Sequence, residues 1–184
     1  MTHCTTIITD RLIARPIELK DTDAFFSLMS DPEFARIAGT EVPQSREFIH
    51  SSIQVFMDLN ASGFYQKRAL CLKDNDEFIG ECELYPVKPQ IRPWDEWVIG
   101  FSLSPKHWRK GFMFEALKGV IYHHFQDVNS LRIKADVHIG NTPSSSILRK
   151  LGFKYEGIQR SKLKLYDRVY DMEQFALVNG DHLR

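Results

Sequence analysis

Cysteine is scarce in this chain of 184 residues. Its three cysteines, Cys4, Cys71 and Cys82, are odd in number, widely spaced and form no CxxC pair, which argues against a disulfide framework or a zinc site and predicts reduced thiols. Long apolar runs are missing as well. The longest, such as Phe175-Ala176-Leu177-Val178, stop at four residues, far short of the roughly 20 that a membrane-spanning helix needs. The opening Met1-Thr2-His3-Cys4-Thr5 has no basic region followed by an apolar segment, so neither a secretory signal nor a transit peptide is expected, and the cytoplasm is the default compartment. Neither GxGxxG nor GxxxxGKS/T occurs, so the two common phosphate-loop signatures are excluded. Net charge is absent too: 24 Lys+Arg balance 24 Asp+Glu, which disfavours a general nucleic-acid binder.

What is present is a globular composition. With 43% hydrophobic and 12% aromatic residues the chain is too apolar for disorder, and its length suits one domain, residues 1–184, able to bury a core without staples. The neutrality is a cancellation. Residues 1–104 carry 16 acids and 10 bases, residues 105–184 carry 8 acids and 14 bases, so the halves stand at −6 and +6. Within 144–170, Arg149, Lys150, Lys154, Arg160, Lys162, Lys164 and Arg168 face only Glu156 and Asp167, a basic stretch expected to gather at a cleft for a polyanion.

Periodicity sets the element order. Arg11–Ile17 alternates as an opening strand, and Asp21 is expected to cap a helix carrying Ala24, Phe25 and Leu28 that Asp31-Pro32 stops. Ser45 caps a second helix with Ile49, Ile53 and Phe56 on one face, running to about Asn60. Three strand-like segments follow, Tyr65–Leu72, Glu77–Tyr85 and Glu96–Leu103. After Pro105 the period becomes helical, with Met113, Leu117, Val120, Ile121 and Phe125 inward; Gly119 within it implies a close packing contact. Leu131–Ile139 returns as a strand. A short helix then has Thr142 as cap, Pro143 at its first position and Gly152 as its left-handed stop, before strands at about 153–165 and 168–178. The resulting order predicts an α/β (α+β) fold, with a mixed, mostly antiparallel sheet of about seven strands and about four helices.

Two segments bear on chemistry. Ile99–Ala116 takes a strand through a basic loop and a glycine into a helix, so backbone N–H groups at a positive helix end converge where a pyrophosphate fits, with Lys106, Arg109 and Lys110 raising the potential. Asn141–Phe153 ends a strand at Asn141 and puts Ser144 in the first turn of the next helix; taken singly, both read as ordinary capping residues.

Together these segments resemble the GNAT superfamily of acyl-CoA-dependent N-acetyltransferases, specifically the RimJ/RimL-like branch that acetylates ribosomal-protein N-termini. Ile99-Gly100-Phe101 and Lys110-Gly111-Phe112-Met113-Phe114-Glu115-Ala116-Leu117 match the cofactor-loop pattern, while Asn141, Ser144 and Leu151-Gly152-Phe153 match N-x-x-S…LGF at the family spacing. Arg11–Pro16, Ile79-Gly80 and Asp171 add support, and the resemblance spans about 11–178. It implies a GNAT fold and acetyl-CoA as co-substrate, with no metal. The pantetheine arm would lie along Gly100, Phe101, Ser102 and Leu103, and the pyrophosphate on Trp108, Arg109, Lys110, Gly111, Phe112 and Met113, with Asn141 and Ser144 opposite. The Phe101 N–H would stabilise an oxyanion, and Ser144 would protonate the leaving thiolate, since the tyrosine many members carry is Leu148 here. Trp108 and Met113 depart from the wider family's Gln/Arg and small residue.

The branch's usual acid before Ile-Gly is Val98, so the base is expected at Glu96, which shares its strand parity, or at Glu81 or Glu83 on the neighbouring strand. Adjacent His123 and His124 diverge and make no metal pair; Cys82 reads as a sheet residue rather than a nucleophile; Trp94 and Trp97 read as packing or as an aromatic wall for a cationic amine. The acceptor implied is a protein N-terminus of ribosomal type. Alternatives are a small amine (polyamine, aminoglycoside or amino acid), a non-catalytic acyl-CoA-binding module and, ranked last, a nucleic-acid binder. No membrane partner is expected, and a homodimer is compatible with the sequence.

Overall fold

The computed structural model describes residues 4–38, 42, 45–90, 95–165 and 167–180. Among them eight strands form one sheet: β1 (Ile7–Ile8), β2 (Leu12–Pro16), β3 (Gln66–Leu72), β4 (Phe78–Pro86), β5 (Glu96–Leu103), β6 (Arg132–His138), β7 (Lys154–Leu165) and β8 (Arg168–Val178). Their order is β1-β2-β3-β4-β5-β6-β8-β7. Every pair is antiparallel except β5–β6, which is parallel. The helices are α1 (Thr22–Met29), α2 (Pro32–Ala38), α3 (Arg46–Ser62), α4 (Phe112–Val128) and α5 (Thr142–Lys150). None is long and apolar enough to cross a membrane.

Strand alternation sends neighbouring side chains into two cores. Leu70, Leu84, Trp97, Ile99 and Ile133 pack under α4 and α5 with Leu117, Val120 and Leu148. Ile17, Ala69 and Cys71 pack under α1, α2 and α3 with Phe25, Phe34 and Ile53. Gly119 lets α4 lie close to the β1 segment, for a Cβ there would stand 3.1 Å from Thr9 Cγ2 and 3.5 Å from Ile7 Cγ2. The stop after α5 has the expected form: Gly152 takes φ +90°, and the Phe153 N–H returns to the Leu148 carbonyl at 3.0 Å.

The described residues hold one more strand and one more α-helix than the periodicity indicates. β1 is too short to carry a period. α2 begins where a stop is expected, because Asp31-Pro32 ends α1 and starts the next helix: Asp31 Oδ1 accepts from the Glu33 and Phe34 N–H groups, and Pro32 occupies the first turn, where its missing N–H costs nothing. Asp21 does not cap α1 with its side chain. It is buried and paired with Arg15, Nη2 to Oδ1 at 2.7 Å. At α5 the cap is Asn141, not Thr142, with Asn141 Oδ1 accepting the Ser144 N–H at 3.2 Å.

His124, buried against Trp97 with ring centroids 4.6 Å apart, has Nε2 3.0 Å from Ser130 Oγ. Burial, helped by the charge of Arg68, pulls its pKa down to about 3 from 6.5. The unfolded chain therefore binds a proton that the folded chain refuses between those values. The stability is present above pH 6.5 and is lost as pH falls towards 3. Unfolding free energy should drop by about 2 kcal/mol between pH 8 and pH 5 through this group. Denaturant unfolding of His124→Gln, whose amide can still reach Ser130, should show a flatter pH dependence; an unchanged slope would assign the acid loss elsewhere.

Candidate active site

The site begins where β5 and β6 part. Their pairing covers Glu96↔Arg132, Trp97↔Ile133 and Val98↔Lys134 and stops there, whereas β5 stays paired with β4 to Gly80↔Leu103. The Ser104 N–H donates to the Ile79 carbonyl and the Val87 N–H to the Glu96 carbonyl. By the alternation of an antiparallel ladder, residues 98, 100 and 102 thus turn their backbone polar groups to β4, and Phe101 and Leu103 turn theirs to the opposite side.

That side opens onto a cavity of about 1130 Å³. Phe101, Ser102 and Leu103 form one wall, Trp108, Arg109, Gly111, Phe112 and Met113 the turn into α4, and Asn141, Ser144, Ile147 and Lys150 the start and inner face of α5. Phe34, Arg36, Ile37 and Ala38 of α2 close it from the other core. The turn is built from two left-handed residues, Arg109 at φ +61° and Gly111 at φ +80°. It is tied to β5 by Trp108, whose Nε1–H donates to the Leu103 carbonyl at 2.7 Å. This gives the unusual Trp108 a local reason. Met113 is in the core beneath α4 as well as at the cavity. A free strand edge, a helix N-terminus opening on a turn, and the cations of Arg109, Lys150 and Arg36 form a site whose donors fit a CoA thioester: amides for the pantetheine arm, positive potential for phosphates.

The cavity thus gathers Phe101, Ser102, Leu103, Trp108, Arg109, Gly111, Phe112, Met113, Asn141 and Ser144, and leaves out three residues expected beside them. Lys110 is held from behind through its carbonyl. Gly100 faces β4. Glu96 lies at the far end of β5, about 13 Å along the strand from Gly100, and pairs with Arg132 at 3.2 Å. The basic stretch 144–170 does not gather at the cleft either. Of its seven cations only Lys150 lines the cavity; Arg149 lies over the Phe175 ring and Lys162 pairs with Asp136. Arg36, from the acidic half, stands at the cavity instead. Trp97 is fully buried and is no wall for an amine; Trp94 lies outside the described residues. Cys82 is fully buried, and burial pushes its thiol up to about 12.

A buried ionic cluster adjoins Gly100 on the α3 side of the sheet. Glu83 pairs with Gly100 across β4–β5, and a Cβ on that glycine would come within 2.9 Å of Glu83 Oε1. The absent side chain lets the carboxylate lie over β5, next to Phe101. Glu83 Oε2 is already taken: the Tyr65 hydroxyl donates to it at 2.5 Å and Lys67 Nζ at 2.9 Å. Lys67 Nζ also lies 2.7 Å from Glu81 Oε2. Burial pushes Glu81 above the usual carboxylate range, further than Lys67 pulls it down. At Glu83 burial acts the same way but is outweighed by the Lys67 charge and the Tyr65 hydroxyl, which keep it below that range. The Tyr65 ring stacks between Phe56 and Tyr85, centroids 5.9 and 5.4 Å away.

Comparison with known proteins agrees with this geometry. The family model for the acetyltransferase (GNAT) domain matches residues 11–154. An uncharacterized N-acetyltransferase, p20, of Bacillus licheniformis is 33% identical over 181 residues, covering 96% of this chain and 98% of the relative. The ribosomal-protein-serine acetyltransferase of Escherichia coli K12 is 26% identical over 135 residues, 73% of each chain. Mycobacterium smegmatis RimJ, solved in complex with a CoA disulfide, shares the fold with a TM-score of 0.83 at 20% identity, covering 98% of this chain and 90% of that one.

Proposed function

The chain belongs to the GNAT acetyltransferase family and is an N-acetyltransferase; from that premise we propose that it transfers the acetyl group of acetyl-CoA directly to a protein N-terminal α-amine, with ribosomal proteins as the acceptor class and the cytoplasm as the setting. The observation that carries this reading is Glu83 Oε1, which has no hydrogen-bond partner among the described residues and lies over Gly100, outside the residues that line the cavity but beside the Phe101 backbone that turns towards it. Acetyl-CoA supplies a thioester-activated acetyl group. Glu83 Oε1 takes the proton from the acceptor nitrogen as the C–N bond forms. The Phe101 N–H donates to the carbonyl oxygen as charge develops there. Ser144 Oγ–H gives its proton to the sulfur as the C–S bond breaks.

The ionic cluster favours an α-amine. A carboxylate held below its usual range is always charged and weakly basic, which suffices for an α-amine with a pKa of about 7.7–8.0 but serves poorly against a lysine at about 10.4. The likeness to a ribosomal-protein-serine acetyltransferase supports the choice of protein acceptor. Thiol release from acetyl-CoA should be measured over N-terminal peptides, lysine peptides, polyamines and aminoglycosides. The N-terminal peptides are expected to give the highest kcat/KM, and Ser144→Ala to slow them by about 10²-fold. A polyamine or aminoglycoside turned over faster would replace this acceptor class, and full turnover by Ser144→Ala would remove the serine's role.

A further inference from the structure

The geometry points to Arg11 as a positioning residue that holds the turn at the start of α4 in its phosphate-binding shape, from behind and from a segment about a hundred residues away. Arg11 is not among the residues lining the cavity. Its side chain instead makes three separate contacts with that turn. Nη1 donates to the Lys110 carbonyl at 3.0 Å. Nε donates to Glu115 Oε2 at 2.7 Å. The guanidinium lies over the Phe112 ring, 4.5 Å from its centroid. The Arg11 backbone N–H and the Thr9 hydroxyl then fix the other oxygen, Glu115 Oε1, at 2.8 and 2.6 Å.

The turn needs such a hold. Arg109 sits at φ +61°, a conformation that is strained for a residue with a Cβ, and Gly111 at φ +80° follows two residues later. The carbonyl between them belongs to Lys110, and it is the one Arg11 grips. Glu115 belongs to the first turn of α4, with its N–H donating to the Gly111 carbonyl at 3.1 Å, so the clamp joins both ends of the turn to the β2 segment. With the turn fixed, its amides stay aimed at the cavity before any anion arrives, and the binding energy of the phosphates is not consumed in ordering them. Lysine cannot replace this: one ammonium can reach the carbonyl or the carboxylate, whereas the guanidinium fork reaches both while stacking on Phe112.

This inference rests on the reading of the turn as the pyrophosphate site, and the test separates the two. Calorimetric affinity for CoA and for pantetheine, which lacks the phosphates, should be measured on the wild-type chain, Arg11→Ala and Arg11→Lys, with kcat and KM for acetyl-CoA and S-acetylpantetheine and the melting temperature of each. Arg11 is half exposed, so the variants should fold. Wild type is expected to bind CoA more tightly than pantetheine. Arg11→Ala should weaken CoA by about tenfold or more, with pantetheine affinity and kcat for the truncated thioester unchanged, and Arg11→Lys should recover only part of the loss. Arg11→Ala binding CoA like wild type, or losing both ligands equally, overturns the clamp while leaving the phosphate site standing. A wild type that does not distinguish CoA from pantetheine overturns the phosphate site and the clamp together.

Discussion

Glu83→Gln should lower kcat/KM for an N-terminal peptide by about 10²–10⁴-fold at pH 7, with CoA affinity unchanged. The amide keeps the shape of the side chain and can still meet Tyr65, but it cannot take a proton. The fold should survive because Lys67 keeps a second carboxyl partner. In the wild type, burial raises the Glu81 carboxyl while the Lys67 charge and the Tyr65 hydroxyl hold Glu83 low. Once Glu83 is neutral, Glu81 still lies 2.7 Å from the same ammonium. The melting temperature should therefore move little. The pH profile discriminates further. Above pH 8 more of the acceptor α-amine arrives already neutral, with its pKa of about 7.7–8.0, so the deficit of the variant should narrow as pH rises from 6 to 9. A deficit constant over that range would mean that Glu83 shapes the site without accepting a proton, and no deficit at all would return the search to other carboxylates.

The choice between Glu83 and Glu96 marks the limit of what this sequence discloses. Strand parity puts Glu96, Val98 and Gly100 on one face, and the structure keeps them there. Parity says nothing of how far along the strand the reacting atoms lie. That depends on where β6 leaves β5, a property of two segments about thirty-five residues apart. The register that sets Glu83 against Gly100 is equally non-local. Local signals fared better. The alternation over β5 has the bounds Glu96–Leu103 that the structure has, Ser45 caps α3 through the Phe48 N–H at 3.1 Å, and Asn141 and Ser144 share one wall. α2 is hidden from the local pattern because Asp31-Pro32 carries a stop and a start in the same two residues. The charge split is uninformative for a related reason: a count over 144–170 ignores that β7 and β8 alternate sides and contribute no residue to the cavity, whereas Arg36 reaches it from the acidic half.

Lys67 is where the same cluster should matter most for stability. It is fully buried beneath α1 and α3, with Nζ 4.9 Å from the centre of the Phe56 ring and between two carboxylates. Its burial opposes its charge, but Glu81 and Glu83 together raise its pKa above the normal lysine value. Lys67→Met retains the apolar stem and removes the only cation in contact with both acids among the described residues. A buried carboxylate without its partner costs about 3–5 kcal/mol, and denaturant unfolding at pH 8 should show a loss of that order. The sign of the pH dependence then follows. In the variant the carboxylate that was held low by Lys67 is pushed up by burial alone, so the folded chain binds protons that the unfolded chain releases. The variant should regain stability relative to wild type as pH falls from 8 to 5. Adding Glu83→Gln to Lys67→Met should restore part of the loss, because it removes the carboxylate that Lys67 held low. Losses that simply add would show that the two residues do not interact. A Lys67→Met chain as stable as wild type at pH 8 would mean that the ammonium contributes no net stability to the acids around it, and the lowered pKa of Glu83 would need another source.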